Sequence, residues 1–356
     1  MKSKIIERAN DGKFVLIAEI GVNYYDIAKK MGISLLDAAK LMVKEARDAG
    51  VHAVKFQSYK ANTLAARKSP SYWDIIEEPT TSQFELFKKF DSFSYREYEG
   101  ISEYCDNIGV EFLSTAFDIE SADYLFDLMN VYKISSSDLN NLPFVEYQAK
   151  KGKPLLLSVG ASNEEEIESA VDIIRKYNNN PIVLLHCVLE YPTPYEHANL
   201  NRILTMKDKY PDLIIGYSDH TKPDKSGDII KTAYNLGALV IEKHFTLDKT
   251  LRGNDHYHAM DPEDVSEIIK GIDFINKIRG SYEIKCLDSE LISRQNARRS
   301  LVTVCKVNKG DTITREMLTF KRPGTGISPS EIENVVGRIA KVNISEDTIL
   351  QLDMLE

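Results

Sequence analysis

Short runs dense in Val, Ile and Leu recur along the first three-quarters of the chain. Each is followed by a stretch whose apolar positions return with helical spacing. The runs are FVLIAEI from Phe14, HAVKFQ from His52, VEFLST from Val110, VYKISS from Val131, PLLLSVG from Pro154, PIVLLHC from Pro181, LIIGYS from Leu213 and ALVIEKHF from Ala238. Between them lie amphipathic segments such as ISLLDAAKLMVKEARDAG, where Leu35, Ala38, Ala39 and Met42 share a face and Gly50 supplies a stop. In NEEEIESAVDIIRKY, Ser162 or Asn163 caps a helix whose first turn is rich in glutamate, which suits the helix dipole.

The strands are almost uniformly apolar rather than alternating, as expected of parallel strands whose outer face is covered by helices. Eight such units in about 280 residues predict a (β/α)8 TIM barrel. A doubly wound open sheet is the rival, weakened by the count of eight and slightly by the absence of G-x-G-x-x-G after the first strand. The rhythm stops near Arg279. From Asn296 it gives way to short β-prone pieces with turn signals: SLVTVCKV, NKGDTIT, MLTFKRPGTG, VVGRIAKVNI and DTILQLDM. The predicted organisation is a barrel over 1–280, a polar linker over 281–295 and a small, mostly β domain over 296–356.

Composition narrows the function classes. A net charge of −9 with scattered Lys and Arg argues against a nucleic-acid partner, which needs a basic face. No apolar run approaches the roughly 20 residues that span a bilayer, and MKSKIIERANDGK contains no signal-like apolar region. Cys105, Cys187, Cys286 and Cys305 are far apart with no C-x-x-C, consistent with free thiols in a reducing cytoplasm.

Barrel enzymes carry their chemistry at the C-terminal strand ends. Here those ends offer Glu19 and Asn23, Lys55 and Gln57, Thr115 and Phe117, and Lys133 with Ser136 and Asp138. They continue with Ser158, then LHC followed by LEYPTP, then Ser218, Asp219 and His220, and finally Glu242 and His244. A single charge in an apolar strand is most simply a structural ion pair; six or more at one end of a barrel predict an enzyme mouth. Two lysines with several serines suit an anion, since ammonium groups supply charge and hydroxyls supply oriented donors. His220 and His244, on neighbouring strands, are placed to share a divalent ion. Glu19 is the candidate general acid/base. His256 and His258, in the loop that follows, read as residues touching substrate or solvent rather than metal.

The strings AEIGVN, VKFQ, YKIS-S, LSVGAS, LHC-YPTPYE, GYSDHT and IEKHFTLD, followed by FKRPGTG, resemble the sialic acid synthases in order and over nearly the whole chain. That family includes N-acetylneuraminate, legionaminic and pseudaminic acid synthases. The resemblance implies a (β/α)8 barrel followed by an antifreeze-like SAF domain. It further implies condensation of phosphoenolpyruvate with an N-acylated hexosamine to give a nine-carbon keto acid and phosphate, with Mn2+ or Mg2+ required. Carried over by motif, Glu19 is the catalytic acid/base, and His220 and His244 are the metal ligands. The same resemblance implies that Lys55, Lys133, Ser136, Ser158 and Ser218 form the phosphoenolpyruvate pocket, that Gln57, Tyr191 and Asp255 face the sugar, and that Arg322 reaches the sugar of a partner subunit in a domain-swapped homodimer.

Departures concern the sugar. Leu189 stands where some bacterial sialic acid synthases read Asn, Arg298 aligns where those enzymes place Phe near the acyl methyl, and GNDHYHAM replaces GPD-x-x-x-S. Three rivals carry different expectations. Condensation with a phosphosugar, as in 3-deoxy-octulosonate phosphate synthases, needs a second phosphate pocket, for which Lys222 and Arg252 are the available cations. A Schiff-base aldolase would use Lys133 or Lys55. A carbohydrate- or ice-binding protein, suggested by the C-terminal domain alone, would leave the mouth residues without purpose.

Overall fold

The structure, a computed structural model, describes residues 2–356, which fall into two compact units divided between Arg279 and Gly280. In the first, eight strands close into a parallel barrel in chain order: β1 Val15–Gly21, β2 Ala53–Ser58, β3 Glu111–Ala116, β4 Tyr132–Ile134, β5 Leu155–Ser158, β6 Ile182–Cys187, β7 Ile214–Asp219 and β8 Val240–His244. Pairing of β1 with β8, from Val15↔Val240 to Glu19↔His244, completes the ring and excludes the open sheet.

Side chains alternate between the barrel interior and the helical layer, because successive Cβ atoms of a strand point to opposite faces. Outward-facing Leu16, Ala18 and Ile20 of β1 pack with the helix residues Ala39, Met42 and Val43 in the larger core. Inward positions nearer the N-terminal strand ends are apolar and form a second core: Val15, Ile17, Ala53, Leu113, Leu156, Val183 and Val240. A short helix, Lys4–Asn10, which the periodicity did not predict, closes this end by inserting Ile5, Ile6 and Ala9 into that core. Burying each of these two isoleucines stabilises by roughly 1.5–3 kcal/mol. Further along most strands the inward positions turn polar, as at Glu19, Lys55, Thr115, Lys133, Ser158, Ser218 and Glu242. The barrel is therefore dry at one end and charged at the other.

The local signals behave as expected. Asn163, not Ser162, caps its helix, in a reciprocal capping box with Glu166. Gly50 adopts φ +114° and its N–H closes the helix Leu35–Ala49. Inside the barrel, Gly216 is required by a close approach, since a Cβ there would stand 2.3 Å from the Val240 carbonyl oxygen and 2.4 Å from Leu185.

In the C-terminal unit, β9 Ser300–Thr303 pairs antiparallel with β10 Leu318–Lys321, and isolated bridges such as Val307↔Ile344 and Thr312↔Ile339 extend the pairing. Its own core contains Leu301, Val307, Ile313, Ile344 and Leu350. The segment 281–295, read from the sequence as a linker, belongs to this unit and carries a 3-10 turn and the start of a helix, Leu291–Ala297. Periodicity missed that helix because it has no buried face: every residue in it is exposed.

Gly216→Ala should destabilise the barrel unit by about 1–3 kcal/mol, because the clash is with backbone that cannot rotate away. A urea midpoint indistinguishable from wild type would show that the barrel wall yields there.

Candidate active site

The polar end of the barrel is built from inward positions at the strand tips. Lys55 of β2 lies between two carboxylates, with Nζ 2.6 Å from Glu19 Oε2 on β1 and 3.6 Å from Glu242 Oε1 on β8. It also donates to Thr115 Oγ1 on β3 at 2.9 Å. Lys133 Nζ of β4 stands 3.8 Å from the same Glu242 oxygen, and Ser218 of β7 donates to that oxygen at 3.3 Å. Gln57 donates through Nε2 to Glu19 Oε1 at 2.9 Å. All four charged groups are buried. An unpaired charge here would cost several kcal/mol; alternating two ammoniums with two carboxylates keeps the set near neutral.

The environment drives the two carboxylates apart. Burial pushes Glu19 up to about 7; the Lys55 ammonium opposes this and the neighbouring Glu242 reinforces it. At Glu242 burial acts in the same upward direction, but Lys133 and Lys55 together outweigh it and hold the group below its usual value. Burial lowers Lys133 below the ordinary lysine range, whereas Lys55, despite comparable burial, is raised because it faces both carboxylates.

Around this quartet the donors are incompletely used. Ser158 Oγ is buried with no hydrogen-bond partner, and Ser136 Oγ accepts from the Gly160 N–H at 2.8 Å, leaving its own proton free. A Cβ on Gly160 would meet Ser136 Oγ at 2.9 Å and Cys187 Sγ and Leu189 N at 3.1 Å, so only glycine permits this approach.

Beside the quartet stands a cluster of imidazoles. The ring centroids of His220 and His244 are 5.6 Å apart, and Tyr191 lies 4.2 Å from His220. His220 Nδ1 is 2.8 Å from the Val188 carbonyl, which only accepts. Nδ1 therefore carries a proton, and in the neutral ring Nε2 keeps its lone pair, the arrangement of a metal-ligating histidine. His244 Nδ1 is buried without a hydrogen bond, 3.4 Å from Asp255 Oδ2. Burial, then the neighbouring imidazoles, hold His244 well below the usual histidine range, so the ring is neutral with a lone pair to offer. An orphaned buried nitrogen beside a carboxylate, and a second imidazole with its tautomer set from behind, fit a divalent cation.

The sequence-predicted residues converge on one cavity of about 570 Å³. Glu19, Lys55, Gln57, Lys133, Ser136, Ser158, Tyr191, Ser218, His220, His244 and Asp255 all line it. Its only lysines or arginines are Lys55 and Lys133; Lys222 and Arg252 are exposed and outside it. Arg322 is an exposed residue of the C-terminal unit.

Of the two alternatives read for His256 and His258, contact with substrate or with solvent, the structure removes the second: both are fully buried in a 3-10 turn. His256 is fixed by Thr246 Oγ1 at 2.7 Å and approaches Asp26 at 3.3 Å, while His258 packs 4.8 Å from His244. Solvent exposure was inferred from a polar loop; the loop instead returns to β8, where Met260 N–H bonds the His244 carbonyl at 2.8 Å.

Sequence reasoning also missed the segment after β2. Tyr72, Trp73, Phe87 and Phe90 from it line the cavity, and the Gly253 N–H bonds the Glu77 carbonyl at 3.1 Å, joining this segment to the loop after β8. The available signal was the long break in the βα rhythm between Ser58 and Tyr95, which holds the chain's single tryptophan.

Comparison with known proteins agrees with this geometry. Residues 42–284 match the NeuB family and residues 298–356 match the SAF domain. The N,N'-diacetyllegionaminic acid synthase of Legionella pneumophila is 38% identical over 96% of this chain and 94% of its own length. The human N-acetylneuraminate-9-phosphate synthase is 30% identical over 96% and 92%. The crystal structure of N-acetylneuraminic acid synthetase from Leptospira borgpetersenii superposes with a TM-score of 0.67 at 32% identity, covering 79% of this chain and 90% of that one. With matching models over both units and relatives of this similarity along nearly all its length, the chain belongs to the NeuB family and ends in a SAF domain.

Proposed function

We propose that this enzyme condenses phosphoenolpyruvate with an N-acylated hexosamine, releasing phosphate and a nine-carbon nonulosonic acid. The observation carrying this reading is the buried Glu19–Lys55–Glu242–Lys133 quartet opening into a cavity with unused serine donors. The two ammoniums suit the carboxylate and phosphate of phosphoenolpyruvate, Ser136 and Ser158 supply donors to its oxygens, and Ser218 does so by turning away from Glu242. The cavity volume of about 570 Å³ accommodates two small polar substrates.

In this reading C3 of phosphoenolpyruvate forms a bond to the sugar aldehyde carbon, a water oxygen adds at C2, and the C2–O bond to phosphate breaks. Glu19 removes a proton from that water, the aldehyde oxygen gains one as it becomes a hydroxyl, and the new C2 hydroxyl passes its proton to the departing phosphate as the ketone forms. The Glu19 oxygens face the Lys55 ammonium and the Gln57 amide, both donors, so the carboxylate is the form the site accepts. A pKa near 7 lets it hold and release a proton at working pH. A divalent cation, Mn2+ or Mg2+, at His220 and His244 supplies Lewis-acid polarisation of the sugar carbonyl when bound.

Gln57, Tyr191 and Asp255 contact the sugar, and Arg322 contributes from a partner subunit in a domain-swapped homodimer. We favour a 2,4-diacetamido-2,4,6-trideoxyhexose over N-acetylmannosamine. The apolar wall containing Leu64, Tyr72, Trp73, Phe87 and Leu189 suits a deoxy carbon and acyl methyls. Relatives named N,N'-diacetyllegionaminic acid synthase, at 38% and 36% identity, support the same choice. A phosphosugar is disfavoured because the cavity offers no lysine or arginine beyond Lys55 and Lys133 to form a second phosphate pocket. The cytoplasm is the proposed location, and among the described residues no helix is long and apolar enough to cross a membrane.

Phosphate release from phosphoenolpyruvate should require Mn2+ or Mg2+ and one N-acylated hexosamine from a panel that includes arabinose 5-phosphate. It should fall by about 10²–10⁴-fold in Glu19→Gln. Release with the phosphosugar, or borohydride trapping of a keto acid on Lys133 or Lys55, would overturn the reading. The pH dependence has a defined sign: a base with a pKa of about 7 predicts that kcat/KM falls as pH drops through 7. That acid limb should vanish in Glu19→Gln; its persistence would assign the ionisation to another group.

A further inference from the structure

We infer that His258 is a further metal ligand in this protein, joining His244 and Asp255 in a nitrogen-rich cation site that prefers a transition-metal ion such as Mn2+ over Mg2+. The inference rests on the proposed cation dependence and goes beyond the His220–His244 pair.

Three observations carry it. The side chains of His244, Asp255 and His258 present ligand atoms that all lie within 4.8 Å of one another. Asp255 is held between the two rings, with Oδ2 3.4 Å from His244 Nδ1 and Oδ1 3.6 Å from His258 Nε2. These separations are too long for good hydrogen bonds, but they match the roughly 3.4 Å between ligand atoms that each sit about 2.1 Å from one ion. Finally, both nitrogens of His258 and Nδ1 of His244 are buried with no hydrogen-bond partner. A buried imidazole with two orphaned nitrogens costs stability unless something occupies them, and a single unsatisfied nitrogen would already need an explanation.

The loop is organised to keep His258 there. Met260 N–H bonds the His244 carbonyl at 2.8 Å, and Thr246 N–H bonds the Met260 carbonyl at 2.9 Å, so the chain returns alongside the end of β8. His256, held by Thr246 at 2.7 Å, anchors the turn from its other side and acts as a positioning residue. Within this cluster, which does not include His220, the donor set is two imidazoles and one carboxylate. Such a set favours Mn2+, Co2+ or Zn2+ over Mg2+, which prefers oxygen ligands and retains its waters.

The test uses the full-length, chelator-stripped protein without substrates. Bound Mn2+ is read from loss of the free-ion EPR signal, and Mg2+ by competition. Wild type should bind Mn2+ at least a hundredfold more tightly than Mg2+. His258→Gln and His258→Ala should each weaken Mn2+ at least tenfold while changing Mg2+ less, with circular dichroism confirming the fold. Equal Mn2+ and Mg2+ affinities in wild type would overturn the inference whether or not the variants fold. So would wild-type Mn2+ affinity in the folded His258 variants when His244→Ala has lost it, and that outcome would leave the cation dependence standing. Absence of Mn2+ binding to wild type, or unchanged binding in His244→Ala, would remove the proposed cation site along with the inference.

Discussion

Lys55 is the constraint on which the site depends. Its ammonium is buried between Glu19 and Glu242; it is the lysine paired with Glu19 and shares Glu242 with Lys133. Because Lys55, Glu19 and Glu242 sit on β2, β1 and β8, their ion pairs also bind the two strand pairs that meet where the barrel closes. Stability and chemistry are thus coupled. The charges are held in place by a hydrophobic plug of inward side chains beneath them, and that plug excludes water from below. Glu19 and Glu242 are the same functional group on adjacent strands, yet one is raised and the other lowered. The difference is the number of lysines each one faces.

The loops complete what the strands begin. Those after β2 and β8 meet through the Glu77 carbonyl and the Gly253 N–H, so the aromatic side of the cavity and the imidazole side are covalently distant but mechanically joined. Trp73 is tied down by donating to the Glu78 and Thr80 carbonyls at 3.0 and 3.1 Å. The anchored loop side chains make this side of the cavity preorganised.

Much of this was legible in the sequence, for a physical reason. Parallel barrel strands are buried on both faces, so each appears as a compact apolar run, and a charge at its C-terminal end stands out. Glu19, Lys55, Lys133, Glu242 and His244 were all visible that way. What escaped had no such contrast. The helix Leu291–Ala297 buries no face and leaves no period. His258 lies among polar residues, and its burial comes from backbone bonds to β8 that no local pattern encodes. The cavity role of the segment around Trp73 depends on a tertiary contact with a loop nearly 180 residues away in the chain. Strand ends are written in the sequence one strand at a time; loop packing is not.

The central claim is that this buried quartet handles phosphoenolpyruvate by breaking its C2–O bond while a carbon–carbon bond forms. The most direct measurement uses phosphoenolpyruvate labelled with oxygen-18 at the bridging position, in a reaction with the accepted sugar. The account predicts that the label leaves with the inorganic phosphate. Recovery of the label in the keto acid would mean cleavage between oxygen and phosphorus, and would contradict it.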